Sequence, residues 1–244
     1  KGTFKWAVVN KKIASNPFAG LRVTYAKAPR DRESRAFTMK EAQAILGASL
    51  GVPPPRLSAH YKATRRWVPW ICAYTGCRVQ EATQLRAEDV VEQDGIWAIR
   101  LLPSAGTVKG GTGRTVPVHE HLIEQGFLDF VRGVGKGPMF YNARAQAAQR
   151  ASDPTNPQKA LAVKAREHLA AWVRKIGVDD PELSPNHSWR HLFKEIADRC
   201  DMREKVSDAI TGHAPATVGR SYGRPTLEGM DQELRKFPRF VLKL

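Results

Sequence analysis

A mainly α-helical fold carrying one small three-stranded antiparallel β-sheet is what this 244-residue chain predicts, on three observations. Apolar residues recur at helical spacing in several separate stretches, and capping signatures mark where two of the helices begin. The alternation of apolar and polar residues that marks a strand is confined to the region between residues 90 and 118. With 42% hydrophobic residues, six Trp and nine Phe, the chain can bury a substantial core.

The elements follow in order. Residues 1–36 carry nine Lys/Arg against Asp31 and Glu33, a local excess of +7, interspersed with Phe4, Trp6, Val8, Val9, Ile13 and Phe18. A basic run with that much apolar content packs as well as solvates, so it reads as a basic linker and the last helix of a preceding domain, with the compact domain at 37–244. Thr38-Met39-Lys40-Glu41 is a capping box that starts a helix through Ile45 and Leu46, and Gly51-Val52-Pro53-Pro54-Pro55 breaks the pattern. Trp67, Trp70, Ile71 and Tyr74 then give a buried helical stripe, with Pro69 as a kink and Thr75-Gly76 as the stop. A short helix carrying Glu81 and Leu85 leads to a strand at Val90-Val91-Glu92, the turn pair Asp94-Gly95, a strand from Ile96 to Leu101, a glycine-rich tip and a strand from Arg114 to Val118.

Beyond residue 119 the pattern is helical. One segment runs from Leu122 to Val131, a polar loop covers 142–157, and Leu161, Ala165, Leu169, Trp172 and Ile176 share a face that Gly177 ends. Further helices are expected from His187 to Cys200, from a second capping box at Asp201-Met202-Arg203-Glu204 to Ile210, and from Thr226 to Phe237.

The balance of 39 Lys+Arg against 24 Asp+Glu leaves a net charge of +15, which favours a polyanionic partner, nucleic acid foremost. Cys72, Cys77 and Cys200 form no C-x-x-C pair and leave one thiol over, as suits a reducing cytosol rather than a disulfide scaffold. No apolar run reaches the length of a membrane span, so an intracellular protein with no membrane partner is expected.

Four short stretches carry chemistry. In Thr75-Gly76-Cys77-Arg78-Val79-Gln80-Glu81 a glycine-ended helix is followed at once by an arginine, which places a planar five-donor guanidinium at a rigid turn suited to phosphate. Glu81 suits a structural partner better than an acid catalyst. In His187-Ser188-Trp189-Arg190-His191, residues three apart share a helix face, so His187 and Arg190 can point at one anion. His187 and His191 lie four apart as zinc ligands would, but Ser188 replaces the glutamate of a zincin helix and no ligand cluster adjoins, so no metal is assigned. Lys109 is the lysine of the glycine-rich hairpin Thr107 to Pro117, and Gly212-His213 stands nine positions before Tyr222.

Taken in this order, Arg78, Lys109, His187-x-x-Arg190, Gly212-His213 and Tyr222 resemble the signature of the tyrosine recombinases, the phage integrase family, over residues 37–225. Thr211 and Leu192 depart from residues common there. The resemblance implies the catalytic-domain fold of that family and a mobile-element protein of bacterial or phage origin, cytoplasmic and nucleoid-associated. It implies site-specific recombination of DNA, with Tyr222 attacking a phosphate to give a 3′-phosphotyrosyl enzyme, without ATP, metal or other cofactor. Arg78 and Arg190 would neutralise the phosphate oxygens, His187 would handle the tyrosine proton, and Lys109 would protonate the departing 5′-oxygen. His213 would donate to a phosphate oxygen or orient the nucleophile.

The implied partner is double-stranded DNA at a specific attachment site, bound as a homotetramer by a protein that is monomeric when free. A type IB topoisomerase-like enzyme and a non-catalytic DNA-binding protein of the same fold are the alternatives. Leu227, Met230, Leu234 and Phe237, with Phe240, Val241, Leu242 and Leu244 beyond Pro238, must be buried either on the chain's own core or on a neighbouring protomer, and the resemblance favours the neighbour.

Overall fold

The computed structural model describes residues 2–21, 31–108, 111–145, 147, 160–213 and 223–242. Two compact units divide the chain, residues 1–33 and 34–244. In the first, helix α1 (Gly2–Val9) has no buried residue, and Phe4 meets Phe18 edge-on at 4.8 Å.

In the second unit, α2 (Met39–Leu50) opens with the expected capping box: Thr38 Oγ1 accepts from the Glu41 amide and Glu41 accepts from the Thr38 amide. Helix α3 (Ala59–Thr75) starts at Ser58 and runs through Pro69, which leaves the Arg65 carbonyl without its usual helical donor. Every residue from Trp67 to Thr75 is buried, not only the expected stripe, because α2 and the helices at Leu161–Lys175 and Ser188–Arg199 pack around it. A helix apolar on all sides belongs at the centre of a domain. Helix α4 (Val79–Thr83) follows directly.

Strands β1 (Val90–Gln93), β2 (Ile96–Leu101) and β3 (Arg114–Pro117) form one antiparallel sheet in sequential order, with Val90 opposite Ile99 and Ala98 opposite Pro117. Asp94 and Gly95 both take positive φ, 53° and 74°, as a two-residue hairpin turn requires. Together with the helices this is the predicted fold class.

The helix expected at 122–131 is two pieces, α5 (Glu120–Glu124) and α6 (Phe127–Val134), separated by Gly126 at φ 84°. Helix α7 (Leu161–Lys175) buries Ala162, Ala165, Leu169, Trp172 and Val173, and α8 (Ser188–Arg199) buries Trp189, Arg190, Leu192, Phe193 and Ile196. Most of the polar loop at 142–157 lies outside the described residues.

The second capping box does not form. Asp201 takes φ 52° where α8 ends, Met202 is buried, and α9 (Glu204–Thr211) begins after Arg203. Glu233 serves that turn instead, accepting from the Arg203 amide at 3.1 Å and from its Nε at 2.8 Å. Helix α10 (Leu227–Leu234) is capped by Thr226 and ends before Phe237.

The tail corrects the reading that favoured a neighbouring protomer. Met230, Leu234, Phe237 and Phe240 are buried in the chain's own core, and Leu242 packs against it. The Phe240 amide donates to Tyr74 Oη at 3.2 Å, Gln43 Nε2 donates to the Val241 carbonyl at 2.8 Å, and Arg239 grips Glu120 and Glu124, each at 2.7 Å. Phe240 closes over Tyr74 at 5.5 Å, so most of the apolar surface of the tail finds its cover in cis, while Val241 stays exposed and Leu244 lies outside the described residues.

Candidate active site

The candidate site is built on the turn that ends α3. Gly76 takes the left-handed conformation, φ 55°, and its amide donates to the Cys72 carbonyl at 2.9 Å, an αL cap. A Cβ there would lie 2.7 Å from Thr211 Cγ2 and 2.9 Å from Phe193 Cγ, so glycine is required by space as well as by dihedral. Thr75 Oγ1 donates to the Ile71 carbonyl and accepts from the Cys77 amide, which fixes the path into Arg78.

Arg78 is the residue before α4, and Glu81, 1% exposed, holds it twice: its carboxylate accepts from the Arg78 amide and from Nη1, both at 3.0 Å. The same carboxylate accepts from Arg114 Nη2 at 2.7 Å. Burial pushes the Glu81 carboxyl up, but the hydrogen bond and charge of Arg114, with those of Arg78, outweigh it and hold it below the usual carboxylate range. The expected structural role of Glu81 therefore has a physical form, one buried carboxylate between two arginines.

Arg190, 6% exposed on the first turn of α8, donates through Nη1 to the carbonyls of Gly76 and Thr211 and through Nε to His213 Nε2 at 3.2 Å. Its Nη2 is buried without a hydrogen-bond partner among the described residues. Burial, then the charges of Arg78 and Arg114, pull its pKa down to about 10, so it remains a cation at neutral pH.

His213 follows Gly212, the left-handed end of α9 at φ 73°. Thr211 Oγ1 gives its proton to the Ser207 carbonyl and so receives the His213 Nδ1–H at 2.8 Å, leaving Nε2 as the acceptor for Arg190. Burial first, and the Arg190 charge second, lower its pKa to about 4: it is a neutral imidazole. His187, just before α8, meets Ser184 Oγ at 3.3 Å, and burial followed by the charge of Arg78 lowers its pKa as well.

Arg190 and His213 are thus in direct contact, and the Arg78 charge acts on His187 and Arg190 and more weakly on His213. His191 adjoins this group, its pKa lowered by burial and then by Arg35, with a smaller effect from Arg190. Lys109 and Tyr222 lie outside the described residues. Among the described residues, no three or more His, Cys, Asp or Glu side chains gather as a metal-binding group.

Two residues that the sequence reading did not place in the site belong to its frame. Arg114 joins Glu81 to the Ile210 carbonyl, accepted at 3.0 Å from Nε, and its guanidinium lies where a Cβ on Gly212 would approach to 2.8 Å. Thr211 fixes the tautomer of His213. The signal for Arg114 was an arginine opening a strand whose next residues turn inward; for Thr211 it was a short hydroxyl residue two positions before a histidine.

No family model matches the chain, and no curated protein matches it in sequence. Among solved structures, the integrase from mycobacterium phage Brujita is similar over 100% of this chain and 70% of its own, at 17% identity and a TM-score of 0.53. The XerH site-specific recombinase bound to its difH substrate in a pre-cleavage complex is 19% identical, with 75% of this chain and 48% of that one covered and a TM-score of 0.47. At 17% identity what this chain shares with that integrase is architecture alone, a mainly α-helical fold with one small three-stranded antiparallel sheet.

Proposed function

We propose that this chain is the catalytic part of a site-specific DNA recombinase that cleaves and rejoins strands through a tyrosyl–phosphate bond. The observation that carries this reading is the Arg190 guanidinium. It is buried, charged, fixed by two carbonyls and a neutral imidazole, and has one donor, Nη2, without a partner among the described residues. An unpaired buried donor on a cation is costly unless a ligand completes it, and a phosphate oxygen is the acceptor that guanidinium geometry suits.

Arg78, held by Glu81, supplies the second positive charge on the same phosphate. Both stabilise charge that grows on the non-bridging oxygens as the phosphorus becomes pentacoordinate. Tyr222 is assigned as nucleophile: its oxygen bonds to phosphorus, the 5′-oxygen leaves, and Lys109 gives that oxygen a proton. The tyrosine proton goes to His187, whose lowered pKa leaves it neutral and able to accept. For His213 the geometry favours orienting Arg190, since the Nε2 lone pair is already engaged.

The test is a nicked suicide duplex containing candidate attachment DNA, resolved on a denaturing gel. A protein–DNA adduct should form, survive EDTA, and vanish in Tyr222→Phe while that variant keeps its DNA affinity within about twofold, because only the attacking oxygen is removed. An adduct made by the Phe variant, or one abolished by EDTA, overturns the reading.

A further inference from the structure

The residue between Gly76 and Arg78 is a buried cysteine, and it faces another. Cys72 and Cys77 are 0% and 1% exposed, and their sulfurs stand 3.9 Å apart. The αL cap explains the approach: the residue beyond the cap glycine commonly packs back on the last full turn of the helix, and here both members of that contact are thiols. Two alkyl side chains would serve packing equally well, but only two thiols can be joined. Thr75 Oγ1 accepts from the Cys77 amide, and the Glu81 charge acts on both thiols.

We propose that Cys72 and Cys77 form an oxidisable dithiol, closed to a disulfide by a small hydroperoxide, and that closure displaces the turn holding Gly76 and Arg78. The contact with the Cys72 sulfur, chiefly, lowers the Cys77 pKa, whereas burial raises that of Cys72, so Cys77 is the more readily ionised of the two and is assigned the attacking role. Its sulfur attacks one oxygen of H2O2, giving Cys77 sulfenic acid and releasing hydroxide, which takes up the proton lost on ionisation. The Cys72 sulfur then attacks the sulfenic sulfur, forming the S–S bond and expelling the hydroxyl as water with the Cys72 proton. Two thiols and one peroxide yield one disulfide and two waters, with both electrons taken from sulfur.

The sulfurs must close from 3.9 Å to a bond length of about 2.05 Å. That movement falls on the peptide next to Gly76, which is walled by Phe193 and Thr211 and whose carbonyl anchors Arg190. A shift on the order of 1 Å is enough to misplace a transition-state contact. This consequence for cleavage rests on the recombinase reading; the formation of the disulfide does not.

The experiment uses the full chain with Cys200→Ser, so that the half-exposed third thiol is silent. Reduced protein is treated with H2O2, alkylated under denaturing conditions and mapped by mass spectrometry, and adduct formation on suicide DNA is measured in parallel. We expect a Cys72–Cys77 linked peptide 2 Da lighter than its reduced form, a fall in adduct yield of about tenfold, and recovery of both in dithiothreitol. Cys72→Ala and, separately, Cys77→Ser should keep their adduct yield under peroxide. Thiols that both remain alkylatable after peroxide overturn the proposal, as does a disulfide that leaves adduct yield unchanged. If the reduced protein forms no adduct at all, the recombinase reading fails, and peptide mapping alone decides whether the dithiol closes.

Discussion

At the scale of single residues, Glu81 is the hinge of the site's electrostatics, since one buried carboxylate serves Arg78 and Arg114 together. Glu81→Gln keeps the shape but removes the charge, leaving two arginines crowded and half-satisfied. It should cost about 3 kcal/mol in urea unfolding and reduce adduct formation at least as much as it reduces stability. The histidines give a pH dependence of definite sign. His187 and His213 have folded pKa values below the unfolded value of about 6.5, so the unfolded chain binds protons more readily. Their contribution to stability is present above that value and is lost as pH falls toward about 4, the His213 pKa. The melting temperature should therefore decline between pH 6.5 and pH 4.5, and His213→Gln should flatten the decline; a melting curve insensitive to pH in that window counts against the assigned neutral imidazole. Arg78, His187, Arg190 and His213 stood out in the sequence because each sits in a local pattern. Arg114 did not, because its partners Glu81 and Ile210 lie 33 and 96 residues away and no short motif records such a pairing.

At the scale of elements, the legible parts were those with local causes: the Thr38 box, the Asp94-Gly95 turn, the alternation of β2, and the glycine that ends α3. What failed had distant causes. The box at Asp201 lost to Glu233, which reaches the start of α9 from α10, and the breadth of burial around α3 depends on three other helices. Gly76→Ala tests the best-defined of these junctions. It combines a left-handed φ of 55° with contacts of 2.7 Å and 2.9 Å, so strain and overpacking add. A loss of about 3 kcal/mol is expected, measured by chemical denaturation. Gly133→Ala, within α6 and with open space at its Cβ, should instead be neutral or stabilising by up to about 1 kcal/mol.

At the scale of the whole molecule, the tail packs the core rather than extending from it. Phe240→Ala opens a space beside Tyr74 and should cost about 3–4 kcal/mol. Deleting residues 226–244 should lower the melting temperature of the free protein even without DNA; unchanged thermal stability of the truncated chain contradicts burial in cis. The sequence showed that these residues had to be covered but not by which surface, because apolar periodicity is the same whichever partner fills the groove.

The surroundings of Tyr74 also set a timetable. Its ring stacks on His119 at 4.0 Å, its hydroxyl meets His121 at 2.6 Å, and Phe237 and Phe240 close over it, two residues before the Gly76 turn. These contacts bridge up to 166 positions, so loops must close over most of the chain before the helix that presents Arg78 is fully enclosed. A chain still emerging from the ribosome carries the arginine turn long before it carries the lid for its supporting helix. Phe237 and Phe240 therefore govern when the turn at Gly76 becomes rigid. Phe240→Ala should accelerate unfolding far more than it slows refolding, as expected of a contact made after the transition state, and stopped-flow chevrons would separate the two limbs.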